Sequence, residues 1–126
     1  MLHAFPAVNI IVFNKQKDLK VEKKRVKKTL DLLLHFLKVK TDEISVRFVT
    51  EKSICKLHKD FFNDPSPTDC ITFPIDESLL GEIIICPKTA LLYAKSRSID
   101  PYEELTLYLI HGVLHLIGYD DIDPQD

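Results

Sequence analysis

Apolar positions along the chain switch between the two-residue period of strands and the wider spacing of helices. Residues 8–13 form a short run rich in β-branched side chains, which is typical of a strand. Ile44, Val46 and Phe48 alternate with other side chains, as in a strand that buries one face. Between these two strands, the apolar residues of about 21–37 recur at the spacing of one helix face, so this stretch predicts a helix.

The middle of the chain predicts a second helix, a hairpin and a third helix. Thr50 can cap the helix that follows it. Residues 70–73 and 82–86 predict two strands, and the connection at 74–80 is short enough to make them antiparallel. Pro87 predicts a helix that runs to about residue 96, because its fixed φ suits a first helical position.

The last predicted helix, at about 101–117, is apolar on nearly every side and is therefore expected to be buried. Asp100 suits its N-cap and Pro101 its first position, Glu103 completes a capping box, and Gly118 supplies the C-terminal stop. With this helix, the element order β-α-β-α-β-β-α-α predicts an α/β fold in which helices pack on a small mixed sheet.

Two histidines on this last helix predict a metal-binding helix. His111 and His115 are four residues apart, which places their Cβ atoms about 5–6 Å apart on one face, where both imidazoles can reach one ion. A pair of hydrogen-bonded core histidines is the alternative. A carboxylate beyond the end of the helix can supply a third ligand, and Asp120, Asp121 and Asp123 are alternatives on spacing.

The residue after the first histidine limits the kind of hydrolase. Gly112 stands where a zinc peptidase of the H-E-x-x-H type has its glutamate general base. The helix therefore provides ligands but no base, which argues against an ordinary zinc peptidase. A protein with such a helix could alternatively be a metallohydrolase that acts on a small molecule.

Length and composition fit one domain spanning 1–126, with 45% hydrophobic and 29% charged residues. No apolar run approaches the ~20 residues of a membrane helix, and the first residues do not resemble a signal peptide. The chain has three cysteines, Cys55, Cys70 and Cys86, which is an odd number, and they form no C-x-x-C pair. These features predict reduced thiols, a cytoplasmic location and no membrane partner.

Charge is unevenly divided between the two halves of the chain. Residues 1–63 hold 14 basic and 7 acidic residues, a balance of +7, whereas residues 64–126 hold 3 and 12, a balance of −9. Lys20, Lys24 and Lys28 recur at four-residue spacing opposite the apolar face of the first predicted helix. They are candidate RNA-binding residues, and a solvated helix face is the alternative.

Three blocks of sequence resemble one known family. Residues 68–74 read T-D-C-I-T-F-P, residues 81–83 read G-E-I, and residues 111–120 read H-G-V-L-H-L-I-G-Y-D. In this order they resemble the motifs of the YbeY family of bacterial endoribonucleases and ribosomal RNA maturation factors, over about 57–121. The resemblance implies an α/β fold with a four-stranded mixed sheet that has one antiparallel strand, and about four packed helices.

The same resemblance implies a function and a set of metal ligands. The implied activity is that of a metal-dependent, single-strand-specific endoribonuclease in small-subunit ribosomal RNA maturation and ribosome quality control. Its partners are single-stranded or ribosomal RNA and the small ribosomal subunit. Carried over by position, His111 and His115 bind one divalent ion, expected to be Zn²⁺, and Asp121 stands where the family has a third histidine. A His₂Asp set makes harder ions more competitive with zinc.

A second departure from the family concerns an arginine. Residues 57–62 read L-H-K-D-F-F where the family has L-N-x-x-Y-R, so Phe62 takes the position of an arginine thought to serve the active site. Lys59 or Arg47 could supply the missing cation, and Arg47 joins the candidate RNA-binding residues. Glu82 and Asp69 are candidate assisting carboxylates, and either also suits a structural role; the catalytic base is unassigned. A weakly catalytic or non-catalytic ribosome-assembly factor with a structural metal is the main alternative.

Overall fold

Four strands and four helices follow one another in the predicted order. The computed structural model describes residues 8–64, 68, 70–76 and 79–118. The elements are β1 (Asn9–Asn14), α1 (Lys23–Phe36), β2 (Glu43–Phe48), α2 (Glu51–Phe62), β3 (Cys70–Pro74), β4 (Leu79–Ile85), α3 (Pro87–Arg97) and α4 (Pro101–Leu116).

The four strands form one mixed sheet in the order β1-β2-β4-β3. Strands β1, β2 and β4 run parallel, so Val12 lies beside Val46 and Val46 beside Ile83. Strand β3 pairs antiparallel with β4, where Thr72 lies opposite Ile83. The predicted fold class, including the single antiparallel strand, is confirmed.

The two faces of the sheet carry different layers. The main core lies on one face, where Val46, Phe48 and Ile83 pack with buried residues of α1, α3 and α4. Side chains alternate along a strand, so the neighbours of these residues point to the other face. There Ile84 belongs to a smaller cluster with Ile54 of α2. Helix α4 and helix α2 thus lie on opposite faces of the sheet.

Helix α4 differs from the prediction in its burial. Its inward face is buried, but Leu107 is 47% exposed and His111 is also exposed. The expected burial is confirmed for the inward face of α4, while the opposite side is exposed because the neighbours of α4 cover only part of its surface. The buried residues are Glu104, Leu105, Tyr108, Leu109, Gly112, Val113 and Leu116. No helix within the described ranges is long and apolar enough to cross a membrane.

Candidate metal centre

Local sequence fixes both ends of the helix that carries the histidines. At its start, a side-chain oxygen of Asp100 accepts a hydrogen bond of 2.9 Å from the Tyr102 N–H. The Glu103 N–H donates to the Asp100 backbone carbonyl and not to the Asp100 side chain. Asp100 is therefore the N-cap, as predicted, but its side chain bonds to the Tyr102 N–H and not to the Glu103 N–H. At the other end Gly118 adopts φ +105°, a conformation that favours glycine. Asp100 and Gly118 therefore set the length of α4 as the sequence predicts.

The two histidines lie in the last two turns of α4, one turn apart. His111 is exposed and His115 is half-buried, so solvent reaches both. Gly112 and Val113, between them, are buried. The imidazoles therefore lie on the outward side of the helix while its inward side packs against the sheet. This arrangement leaves the chelating pair predicted from the four-residue spacing accessible to an ion.

Gly112 on α4 and Gly81 on β4 occupy positions where an added Cβ atom has no room. A Cβ atom placed on Gly112 would come within 2.6 Å of Ile83 Cγ2 on β4. A Cβ atom on Gly81, in β4 itself, would clash with the Phe73 carbonyl oxygen on β3 and would come within 2.8 Å of Leu116 Cδ2 on α4. Both distances are shorter than real Cβ contacts, so neither position has room for a side chain. The glutamate of zinc peptidases is thus excluded at position 112 by packing.

An open depression of about 590 Å³ adjoins His111 between α3 and α4. Its lining residues are Thr68, Thr89, Tyr93, Glu104, Leu107, Tyr108 and His111. Glu104 is only 8% exposed, and no hydrogen bond or ion pair to its carboxylate is present in the described part of the chain. The sequence reasoning missed Glu104. Its spacing of seven residues before His111, with Tyr108 between them, is the signal that could have found it.

The donor set of these residues suits a metal but is incomplete in the described ranges. Two imidazoles at four-residue spacing are a common half of a zinc site. Over residues 8–64, 68, 70–76 and 79–118, no three His, Cys, Asp or Glu side chains come together at one point. A site with three protein ligands would therefore need a residue from outside those ranges. Asp121, Asp120 and Asp123, and also Asp69, lie outside the described residues.

Arg47 and Glu82 lie on the sheet face opposite α4. Arg47 Nε is 2.8 Å from Glu82 Oε1, and the Arg47 guanidinium lies 4.8 Å from the centroid of the Phe13 ring. Their neighbours Val46 and Ile83 point into the core that contains α4, so alternation directs both charges away from His111. Strand alternation thus separates Glu82 from the histidines it was expected to assist.

The three candidate lysines do not form one helical stripe. Lys24 and Lys28 are exposed one turn apart on α1, but Lys20 precedes the helix, which begins at Lys23. The backbone carbonyl of Lys20 accepts a 2.7 Å hydrogen bond from the Tyr102 hydroxyl. Lys20 lines a separate groove of about 510 Å³ between α1 and α4, which shares no residue with the depression at His111.

The end of α2 carries the position at which the family motif has an arginine. Phe62 is the last residue of α2 and is 54% exposed, and its ring centroid lies 5.5 Å from that of His58. Lys59 is exposed on the same helix, three residues earlier. An exposed apolar ring thus occupies the place of a guanidinium, with an ammonium group one turn away.

Comparison with known proteins decides the family. The sequence model of the family described as Endoribonuclease YbeY matches residues 11–126. The chain belongs to the YbeY family. Two relatives named Endoribonuclease YbeY illustrate the YbeY match. The protein from Protochlamydia amoebophila is 47% identical over 119 residues, covering 90% of this chain and 79% of that protein. The protein from Chlamydia felis is 38% identical, covering 94% and 82%.

A solved structure supports the YbeY fold independently. The solution structure of a protein from Thermotoga maritima superposes with a TM-score of 0.67 at 29% sequence identity. The match covers 93% of this chain and 78% of that protein. The overall fold is therefore shared with a structure determined by experiment.

Proposed function

We propose that this chain is a metal-dependent endoribonuclease that cleaves single-stranded RNA. Its proposed substrate is ribosomal RNA of the small subunit, in ribosomal RNA maturation and ribosome quality control. Membership of the YbeY family carries the proposal, since the family and its relatives bear the name of an endoribonuclease. The accessible pair His111 and His115, beside an open depression, supports a metal-assisted reaction.

The proposed metal ligands are His111, His115 and Asp121, and the proposed ion is Zn²⁺. A divalent cation held there supplies Lewis acidity next to a phosphodiester. The two imidazoles bind it from one face of α4, and the exposure of His111 leaves a path for the RNA backbone to reach it. An anionic ligand in place of a third histidine favours harder ions more than a His₃ set does, so Mn²⁺ should compete with Zn²⁺ better here.

A cleavage assay with a matched histidine control tests the proposal. Metal-loaded protein should cut a single-stranded fragment of small-subunit ribosomal RNA, and a chelator should stop the reaction. His115→Ala should abolish cleavage because it removes one of two fixed ligands. His35→Ala is the control, since His35 is an exposed histidine on α1, where it pairs with Asp31. Equal cleavage by the His115→Ala variant and the wild type would reject the site.

Metal content distinguishes the three aspartates. Asp121→Ala should lower the bound metal per chain, as measured by mass spectrometry of the dialysed protein. Asp120→Ala and Asp123→Ala should bind as much metal as the wild type. Undiminished metal in the Asp121 variant, with loss in one of the other two, would move the third ligand to that residue.

A non-catalytic ribosome-assembly factor is the second candidate, and Phe62 favours it. The phenyl ring cannot clamp a phosphate as a guanidinium does. If the missing cation limits turnover, Phe62→Arg should raise the cleavage rate several-fold, while the variant binds RNA as well as before or better. Stable RNA binding with no cleavage by either protein would favour the assembly factor.

A further inference from the structure

The depression between α3 and α4 has the features of a nucleotide subsite next to the metal ligands. His111 lines it, so an RNA strand whose phosphate lies at the histidines has its neighbouring nucleotide at this opening. Its volume of about 590 Å³ is within the usual range for sites that hold small molecules or parts of larger ligands. Leu107 and the rings of Tyr93 and Tyr108 supply apolar and aromatic walls of the kind on which bases stack.

All the basic residues of the acidic half of the chain belong to α3, the helix that contributes Thr89 and Tyr93 to the lining of this depression. Residues 64–126 carry only three, Lys88, Lys95 and Arg97, and all three belong to α3. The Arg97 guanidinium lies over the Tyr93 ring, 4.0 Å from its centroid, which places a phosphate-binding group beside a lining residue. Arg97 therefore places a cation next to the depression, where an RNA phosphate could meet it, although this half of the chain is acidic.

Glu104 supplies a carboxylate that has no protein partner among the described residues and whose oxygens open onto the depression. It is only 8% exposed, it lines the depression, and it has no hydrogen-bond or ion-pair partner among the described residues. It lies in the first turn of α4, where the helix dipole favours a negative charge. Carboxylate oxygens accept hydrogen bonds, so a base recognised here has to present donors to them.

Among the four RNA bases, guanine matches this carboxylate best. Its Watson–Crick edge presents two adjacent donors, N1–H and the N2 amino group, which can meet two carboxylate oxygens side by side. Adenine and cytosine each place an acceptor beside their single amino group, and uracil flanks its N–H with two carbonyls. We infer that the depression is a guanine-selective nucleotide subsite in which Glu104 reads the base and Arg97 binds the phosphate. RNA as the ligand rests on the proposed function.

Binding of short oligomers tests the base preference separately from cleavage. The probes are fluorescein-labelled 2′-O-methyl pentamers that resist cleavage: UUGUU, UUAUU, UUUUU and an inosine version that lacks the N2 amino group. Wild-type protein should bind UUGUU about tenfold more tightly than UUAUU or UUUUU, within the range of a bidentate base contact, and the inosine pentamer in between. Fluorescence anisotropy gives each dissociation constant.

Three variants separate base recognition by Glu104 from phosphate binding by Arg97. Glu104→Gln should abolish the guanine preference, because the amide offers one acceptor and one donor. Glu103→Gln is the matched control, as it removes the same charge from the adjacent, exposed position and should keep the preference. Arg97→Gln should weaken all four pentamers by a similar factor. Far-UV circular dichroism checks that each variant is folded.

The outcomes distinguish this inference from the proposed function. Equal binding of all four pentamers by wild type, or a full guanine preference in Glu104→Gln, overturns the subsite. Cleavage of RNA by a protein without that preference leaves the endoribonuclease proposal intact and rejects only the subsite. A guanine preference in protein that never cleaves RNA rejects the endoribonuclease and leaves the subsite standing.

Discussion

One methyl group at Gly112 tests how tightly the histidine helix is held against the sheet. In Gly112→Ala the new Cβ would lie 2.6 Å from Ile83 Cγ2 and 3.0 Å from Ile83 Cδ1. Ile83 is fully buried and close-packed, so it has little freedom to rotate away. Either α4 moves outward or the core around Ile83 is distorted.

The expected destabilisation follows from two opposing effects. Overpacking of a filled core lowers the free energy of unfolding by about 1–3 kcal/mol. Replacing glycine by alanine inside a helix raises it by about 1 kcal/mol. The net loss should be up to about 2 kcal/mol, which for a chain of 126 residues lowers the melting temperature by up to roughly 8 °C. Cleavage should also fall, because a displaced α4 carries His111 and His115 with it.

A second substitution reverses the sign of this effect if the reasoning is correct. Ile83→Ala removes the three atoms closest to the added Cβ and leaves a cavity beside Gly112. In that background Gly112→Ala should stabilise the protein by about 1 kcal/mol, because only the helix preference remains. Urea unfolding of the four proteins, followed by circular dichroism, gives the free energies. An effect of the same sign in both backgrounds would refute contact with Ile83 as the reason for glycine.

Three further predictions concern stability and RNA affinity. Asp100→Ala removes the side-chain acceptor of the Tyr102 N–H and should lower the free energy of unfolding by about 1 kcal/mol in urea titrations. Lys38→Gly should raise it by about 0.5 kcal/mol, because Lys38 has φ +56° and glycine adopts this conformation more readily; an unchanged or lower unfolding midpoint would contradict this. RNA affinity should fall steeply with salt, and replacing Lys24 and Lys28 by glutamine should reduce the slope of log K against log salt concentration by about two. An unchanged slope would mean that Lys24 and Lys28 form a solvated helix face and do not contact RNA phosphates.

Periodicity predicted α1 and β2 well because each of them buries one apolar face. The alternation of Ile44, Val46 and Phe48 gave β2, and the short connection before β4 gave the antiparallel pair. The burial of α4 was predicted less well for a physical reason. A helix that is apolar all round has no polar face, so its sequence does not show which side the neighbouring elements cover. Leu107, which is 47% exposed, lines the open depression between α3 and α4.

Candidate site residues on helices were easier to predict than those on strands. The histidine pair depends only on a spacing of four within one helix, which the sequence states directly. Whether Glu82 and Arg47 lie near the histidines depends on which face of their strand points toward α4. A shift of one residue in the alternation of side chains reverses the answer. Glu104 was missed because its burial comes from packing between α3 and α4, and a glutamate in a first helical turn ordinarily signals only a favourable helix start.

The segment from His111 to His115 both packs against the sheet and presents side chains to a ligand. Gly112 and Val113 face inward, where they set the distance between α4 and β4, while His111 and His115 face outward, where a ligand can reach them. Loss of the exposed His111 side chain should therefore leave the unfolding free energy nearly unchanged while removing metal, whereas Gly112→Ala should lower both stability and activity. A His111→Ala variant as unstable as Gly112→Ala would mean that the histidine supports the fold, and the assignment of the outward face to chemistry would fail.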